Sequence, residues 1–120
     1  MTYDNLFSEF CEIFKNDEEI ISGIQTDLSI NDDDGMHVLF GMVITPFVIN
    51  LIETENLIEI EKAFDFFEKM DLSGNSNICE VLEFSVLENL ISSPVFPKCK
   101  KYMLPETRKS CEAIEQWTKL

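Results

Sequence analysis

Residues 78–91 read ICEVLEFSVLENLI and decide the fold. The stretch contains neither Pro nor Gly, and its length favours a helix over a strand. The apolar side chains fall on nearly every side of such a helix: Ile78, Cys79, Val81, Leu82, Phe84, Val86, Leu87, Leu90 and Ile91. A helix that is apolar almost all round has to be covered almost all round, so we expect a central core helix.

Two helices are predicted before this core. Residues 4–15 repeat apolar side chains at helical spacing, and residues 18–25 form a shorter helix that Gly23 weakens. The segment NDDDG at 31–35 is a loop by composition.

Residues 36–53 carry conflicting signals. Val, Ile and Phe suit a strand, and Gly41 and Pro46 interrupt a helix. Thr45 before Pro46 is also a cap followed by a first-turn proline. We predict one buried helix, kinked or restarted near Pro46, with two helices or a partial strand as the alternatives.

Residues 56–70 form the clearest helix. Asn56 and Glu59 have the spacing of a capping box. Ile58 and Phe66 lie off the apolar stripe, which suggests a second buried contact or a dimer interface through these two side chains.

The C-terminal part is predicted to hold a turn at 71–77, with Ser76 or Asn77 capping the central helix. A helix over 105–119 follows, with Pro105 in its first turn. Its apolar stripe of Cys111, Ile114 and Trp117 is predicted to dock on the core.

These stretches predict an all-α fold, a single domain over residues 1–120 with five or six helices. Consecutive antiparallel pairs (36–53 with 56–70, then 78–91 with 98–119) would give a short HEAT- or armadillo-like stack. No internal sequence repeat is visible, so an irregular bundle is the alternative.

The charge is distributed unevenly along the chain. Residues 1–61 hold fourteen Asp or Glu and one basic residue, Lys15, while residues 98–120 hold six Lys or Arg and three Glu, within a total net charge of −14. Such a surface repels nucleic acid and anionic membranes and attracts basic proteins. We expect the lysines at 98–101 to pair with the protein's own carboxylates.

Other functional classes have little support in the sequence. No hydrolase, phosphate-loop, dinucleotide or zinc-protease motif occurs, and the single histidine, His37, has no catalytic context, so we predict no enzyme and no cofactor. With Gly35 as the central glycine of a calcium loop, the first and twelfth positions would fall on Ile30 and Gly41, which excludes that site. No signal peptide and no stretch approaching the ~20 residues of a membrane span are visible. We therefore predict a cytoplasmic protein with reduced cysteines.

Several segments carry a family resemblance: LFSEF at 6–10, HVLFGMVITPFV at 37–48, AFDFFEKM at 63–70, VLEFSVLENL at 81–90 and KKYMLPETRKSCEAIEQW at 100–117. The chain resembles a family of small, acidic, all-helical bacterial proteins with an uncharacterised domain. Some members of that family look like immunity proteins of contact-dependent or polymorphic toxin systems.

The resemblance implies a protein that binds and neutralises a basic, nuclease-like toxin. We predict that the acidic surface makes this contact through partner-binding residues in the loop and near the end of the next helix: Asp32, Asp33, Asp34, Glu53 and Glu55. The alternatives are a helical adaptor unrelated to toxins, a DNA mimic and a cryptic enzyme. The protein would be a monomer or a homodimer.

Overall fold

The computed structural model describes residues 1–118 as seven helices. They are α1 (Leu6–Ile13), α2 (Glu18–Leu28), α3 (Met36–Glu53), α4 (Leu57–Asp71), α5 (76–91), α6 (Phe96–Cys99) and α7 (Pro105–Thr118). Short 3₁₀ turns precede α1 (Tyr3–Asn5), precede α2 (Lys15–Asp17) and extend α6 (Lys100–Tyr102). No strand occurs within 1–118. The all-α prediction is therefore confirmed, although the helices outnumber the five or six expected, and residue 119 of the last predicted helix lies outside the described residues.

Phe10 of α1 lies at the centre of an aromatic core. Its ring stacks on Phe14 with 4.6 Å between centroids and meets Phe66 of α4 edge-on at 5.3 Å. Phe40 and Phe47 of α3 pack edge-on against it at 6.1 and 6.3 Å. These ring contacts join α1 to both α3 and α4 and bring the three helices into one core.

Helix α3 is continuous through Pro46 and does not restart there, and it contains a wider π-turn over Phe40–Ile44. Pro46 follows this turn and lacks the N–H that a regular helix would use. The Thr45 hydroxyl donates a hydrogen bond to the Phe40 carbonyl at 2.7 Å. The prediction that Thr45 caps a restarted helix is therefore wrong, because Thr45 has helical backbone angles and satisfies a carbonyl of the turn.

A second π-turn, Val81–Leu87 in α5, packs against the first. The two helices approach closely at Gly41, where a Cβ atom would lie 3.4 Å from Asn89 Nδ2 and 3.5 Å from the Ser85 carbonyl oxygen. These are ordinary van der Waals distances, so the approach itself leaves room for a methyl group at this position. Helix α5 also contacts α4 and α7, which agrees with the predicted central position.

Helix α3 is long and apolar enough to cross a membrane, judged by length and composition alone. This differs from the expectation that no stretch approaches the length of a membrane span. Half of this helix is buried inside the domain, and the core helix of a water-soluble protein meets the same criterion.

Helix α4 begins after Asn56 as predicted, but the capping box does not form. Asn56 has ψ near 80°, which differs from the usual cap geometry, and its side chain makes no capping hydrogen bond. Glu59 instead lies 3.3 Å from the Lys62 amine.

The two off-stripe residues of α4 have opposite surroundings. Phe66 is only 3% exposed and packs on Phe10 and Phe40, whereas Ile58 is 70% exposed. The second buried contact therefore exists at Phe66 alone. A dimer that uses Phe66 is excluded because the ring belongs to the core of its own chain.

The cap of α5 is Asn75 rather than Ser76 or Asn77. Its side-chain oxygen accepts hydrogen bonds from the Asn77 and Ile78 backbone N–H groups at 3.0 and 3.2 Å. Gly74, with φ of 71°, forms the turn before it.

Helix α7 is attached to α4 by a carboxylate. Glu68 accepts hydrogen bonds from the Glu106 N–H (3.1 Å), the Thr107 N–H (2.9 Å) and the Thr107 hydroxyl (2.8 Å). These are N–H groups of the first helical turn, which have no partner within the helix itself. Cys111 of the predicted stripe is buried, but Trp117 is exposed, so the docking prediction is wrong for Trp117.

Candidate partner-binding surfaces

The loop before α3 presents three predicted site residues to solvent. Asp32, Asp33 and Asp34 are all exposed. Asp32 accepts a hydrogen bond from Gln25 Nε2 at 2.7 Å, and Asp34 accepts one from the Asn31 N–H at 2.8 Å. The first and third carboxylates are thus held by short local contacts, while the loop as a whole faces outward.

Glu53 and Glu55 are also exposed, but they lie at the other end of α3. At about 1.5 Å per residue, the eighteen-residue helix separates the two groups by about 27 Å. Asp32–Asp34 and the two glutamates, all predicted to contact the partner, therefore form two separate acidic patches.

The first patch adjoins a groove of about 330 Å³ between α1 and α2. Asp32, Glu12 and Glu18 contribute carboxylates to it, and Cys11 lines its wall. Burial, followed by repulsion from Asp32 and Glu18, raises the pKa of the Cys11 thiol to about 11. The thiol is therefore protonated at neutral pH and is a poor nucleophile or metal ligand.

A second pair of carboxylates lies near the start of α4. Asp17 shares a hydrogen bond with Glu59, and burial followed by this contact raises the pKa of Asp17. Lys62 lies close enough to oppose the shift. Glu59 is thus in contact with a cation of the same chain, unlike the carboxylates of the loop.

Most acidic residues of the N-terminal half have no basic partner within residues 1–118. The ion pairs there involve Glu9, 3.8 Å from the N-terminal amine, and Glu59 with Lys62. The C-terminal lysines pair with α7 instead: Lys100 lies 2.9 Å from Glu115. The predicted internal pairing therefore occurs for Lys100, but it leaves the N-terminal charge uncompensated.

A polar contact that the sequence did not predict joins the first turn of α3 to the π-turn of α5. His37 Nδ1 lies 2.7 Å from the Ser85 hydroxyl. Ser85 is almost fully buried, and within residues 1–118 no carboxylate forms a hydrogen bond with His37. Nucleophilic catalysis requires an accessible hydroxyl and a base oriented by a third group. The geometry fits a structural contact between helices better than a catalytic pair.

A second groove, of about 410 Å³, lies between α5 and α7. Phe84 and Trp117 line it and are 55% and 77% exposed. The sequence pattern assigned both aromatic residues to the core, so this surface was missed. Within the described part of the chain, no three His, Cys, Asp or Glu side chains are grouped to hold a metal ion.

These features define an acidic, all-helical domain with carboxylate-lined surface grooves. A family model described as "Domain of unknown function (DUF7674)" matches residues 5–118, and the chain belongs to this family. No curated protein and no solved structure matches the chain.

Proposed function

We propose that this chain is an immunity-type protein of a bacterial toxin system. It binds a basic, nuclease-like toxin in the cytoplasm and neutralises it by covering the toxin's active surface. The role is non-catalytic. The resemblance to immunity proteins suggests that the partner is a toxin. The uncompensated carboxylates of residues 1–61 support a partner with a basic surface.

The physical argument rests on complementary charge. A nuclease active site is basic because it binds phosphates, and an acidic protein competes for the same surface. Clustered charges of one sign accelerate the encounter with an oppositely charged partner. Asp32–Asp34 are exposed and form no ion pair within residues 1–118, so they face a partner without a neutralising cation.

Capture of the partner tests the proposal. The tagged protein is used to purify bound proteins from its host at low and high salt. We expect one basic protein, released by salt, that stops growth when expressed alone and is tolerated when co-expressed with this chain. A salt-resistant, non-toxic partner would contradict the immunity role and favour an adaptor.

The two patches of α3 are then compared with this partner. Charge reversal of Asp32–Asp34 to Lys is expected to reduce the association rate about tenfold at low salt. The matched variant Glu53→Lys/Glu55→Lys changes the opposite end of the helix. Unchanged kinetics for either variant would remove that patch from the interface.

A further inference from the structure

The α5–α7 groove exposes two aromatic side chains that the hydrophobic pattern would bury. Phe84 and Trp117 line it together with Ile114 and Ala113. Large aromatic side chains carry the most binding energy in protein interfaces, and adjacent exposed ones are a recognised sign of an interaction site.

The π-turn in α5 buries a polar residue and exposes the aromatic residue next to it. Ser85 is 6% exposed and contacts His37, while its neighbour Phe84 is 55% exposed. A fold governed by hydrophobicity alone would favour the reverse arrangement. π-turns occur frequently at functional sites, and local rules are broken most often where function requires it.

One carboxylate lies in the groove beside the aromatic pair, and two more lie near that carboxylate. Glu83 lines the groove, and Glu80 and Asp71 lie close enough to act on it electrostatically. Burial, followed by repulsion from Asp71 and Glu80, raises the pKa of Glu83. Neither Glu80 nor Glu83 forms an ion pair within residues 1–118.

The one basic residue that lines the groove has its own partner. Lys109 lies 3.4 Å from Glu106 Oε1 in α7. Asp71 receives a hydrogen bond from the Ser110 hydroxyl at 2.7 Å, which fixes the carboxylate beside the groove. Within residues 1–118 the groove thus combines exposed apolar side chains with Glu83, and neither Glu83 nor its neighbour Glu80 is paired with a cation.

We infer that the α5–α7 groove binds a basic segment of the partner. The charged group of an Arg or Lys side chain of that segment pairs with Glu80 and Glu83, and its aliphatic stem packs on Phe84 and Trp117. A guanidinium or ammonium group is attracted to an aromatic face, most strongly to that of Trp, and its aliphatic stem packs on apolar surface. A second copy of this chain fits poorly, because it would bring the same carboxylates into the groove. The inference rests on the proposed function and assigns it a contact surface.

Trp117 makes the inference testable because it is the only tryptophan in the chain. An octa-arginine peptide is titrated into the full-length protein while tryptophan emission is recorded. We expect a saturable change in emission that weakens with salt. Octa-glutamate peptide is the negative control.

Matched variants locate the contact. Glu80→Gln/Glu83→Gln is expected to raise the apparent Kd about tenfold, and Phe84→Ala should weaken binding by a similar factor. Glu19→Gln/Asp27→Asn removes the same charge from exposed positions of α2 that line neither groove, and it is expected to change Kd less than twofold. All three variants alter side chains that are exposed or half-buried, and circular dichroism verifies their fold.

Calorimetry in parallel separates the inference from the proposed function. The groove would be overturned as the site if the peptide released heat on binding while Trp117 emission stayed unchanged. The same would follow if both pairs of carboxylate substitutions weakened peptide binding equally. Either result would leave an acidic binding surface elsewhere. Absence of salt-sensitive heat with any basic peptide would contradict both.

Discussion

Two acidic regions of this molecule differ in what their carboxylates do. Glu68 of α4 is almost fully buried and receives three hydrogen bonds from the start of α7. Asp32 and Asp34 are exposed, and each receives one local hydrogen bond. The comparison teaches that burial against the free N–H groups of a docked helix separates a structural carboxylate from one that stays available for binding.

The physical basis is the helix terminus itself. The first N–H groups of α7 have no acceptor within their own helix, and the helix dipole favours a negative charge beside them. Glu68 occupies this position from another helix. Burial alone would raise the pKa of Glu68, but the hydrogen bonds from Thr107 and Glu106 outweigh it and hold the pKa below its ordinary value.

The largest expected effect follows from removing this carboxylate. Glu68→Ala leaves the N–H groups of Glu106 and Thr107 without a charged acceptor, and the free energy of unfolding should fall by about 3 kcal/mol. Glu61→Ala removes an exposed carboxylate from the same helix and should change it by less than about 0.5 kcal/mol. Urea unfolding of both variants measures the difference. Equal losses would contradict the structural role of Glu68.

Acid should erase part of this difference. Since the folded pKa of Glu68 lies below the ordinary value of 4.5, its ionised form stabilises the fold. This stabilisation is fully present above that value and is lost as the pH falls through the lower folded pKa. The stability gap between the wild type and Glu68→Gln should therefore shrink below pH 4.5. A gap that stays constant into strong acid would show that Glu68 acts through packing alone.

The smallest effect is expected in the loop. Replacing Asp32, Asp33 and Asp34 together by Asn retains one acceptor oxygen in each side chain and removes the exposed negative charge. The free energy of unfolding should change by about 0.5 kcal/mol or less. Thermal and urea unfolding check this. A large decrease in the free energy of unfolding would show that these carboxylates stabilise the fold, as Glu68 does, and would contradict the comparison.

Periodicity predicted most of the helices, because apolar stripes mark buried faces. Helix α4 was expected at 56–70 and spans Leu57–Asp71. Periodicity failed at the π-turns, since a wider turn shifts the face of each following residue. That shift accounts for the reversed burial of Phe84 and Ser85.

The binding surface was less predictable, because it depends on which residues meet in space. Asp32–Asp34 precede α3 and Glu53 is its last residue, so the length of the helix separates them. Glu68 looked like one more exposed acid of α4, and only the docked α7 reveals its role. Similarly, Trp117 matched the apolar stripe of α7, but the end of that helix extends beyond the core.

The association rate of the captured partner, measured against ionic strength, tests the central claim most directly. If exposed carboxylates form the binding surface, the rate should fall steeply as salt rises, and the dissociation rate should change much less. An association rate that is independent of salt would contradict the account, because a surface of uncompensated charge cannot meet a basic partner without electrostatic steering.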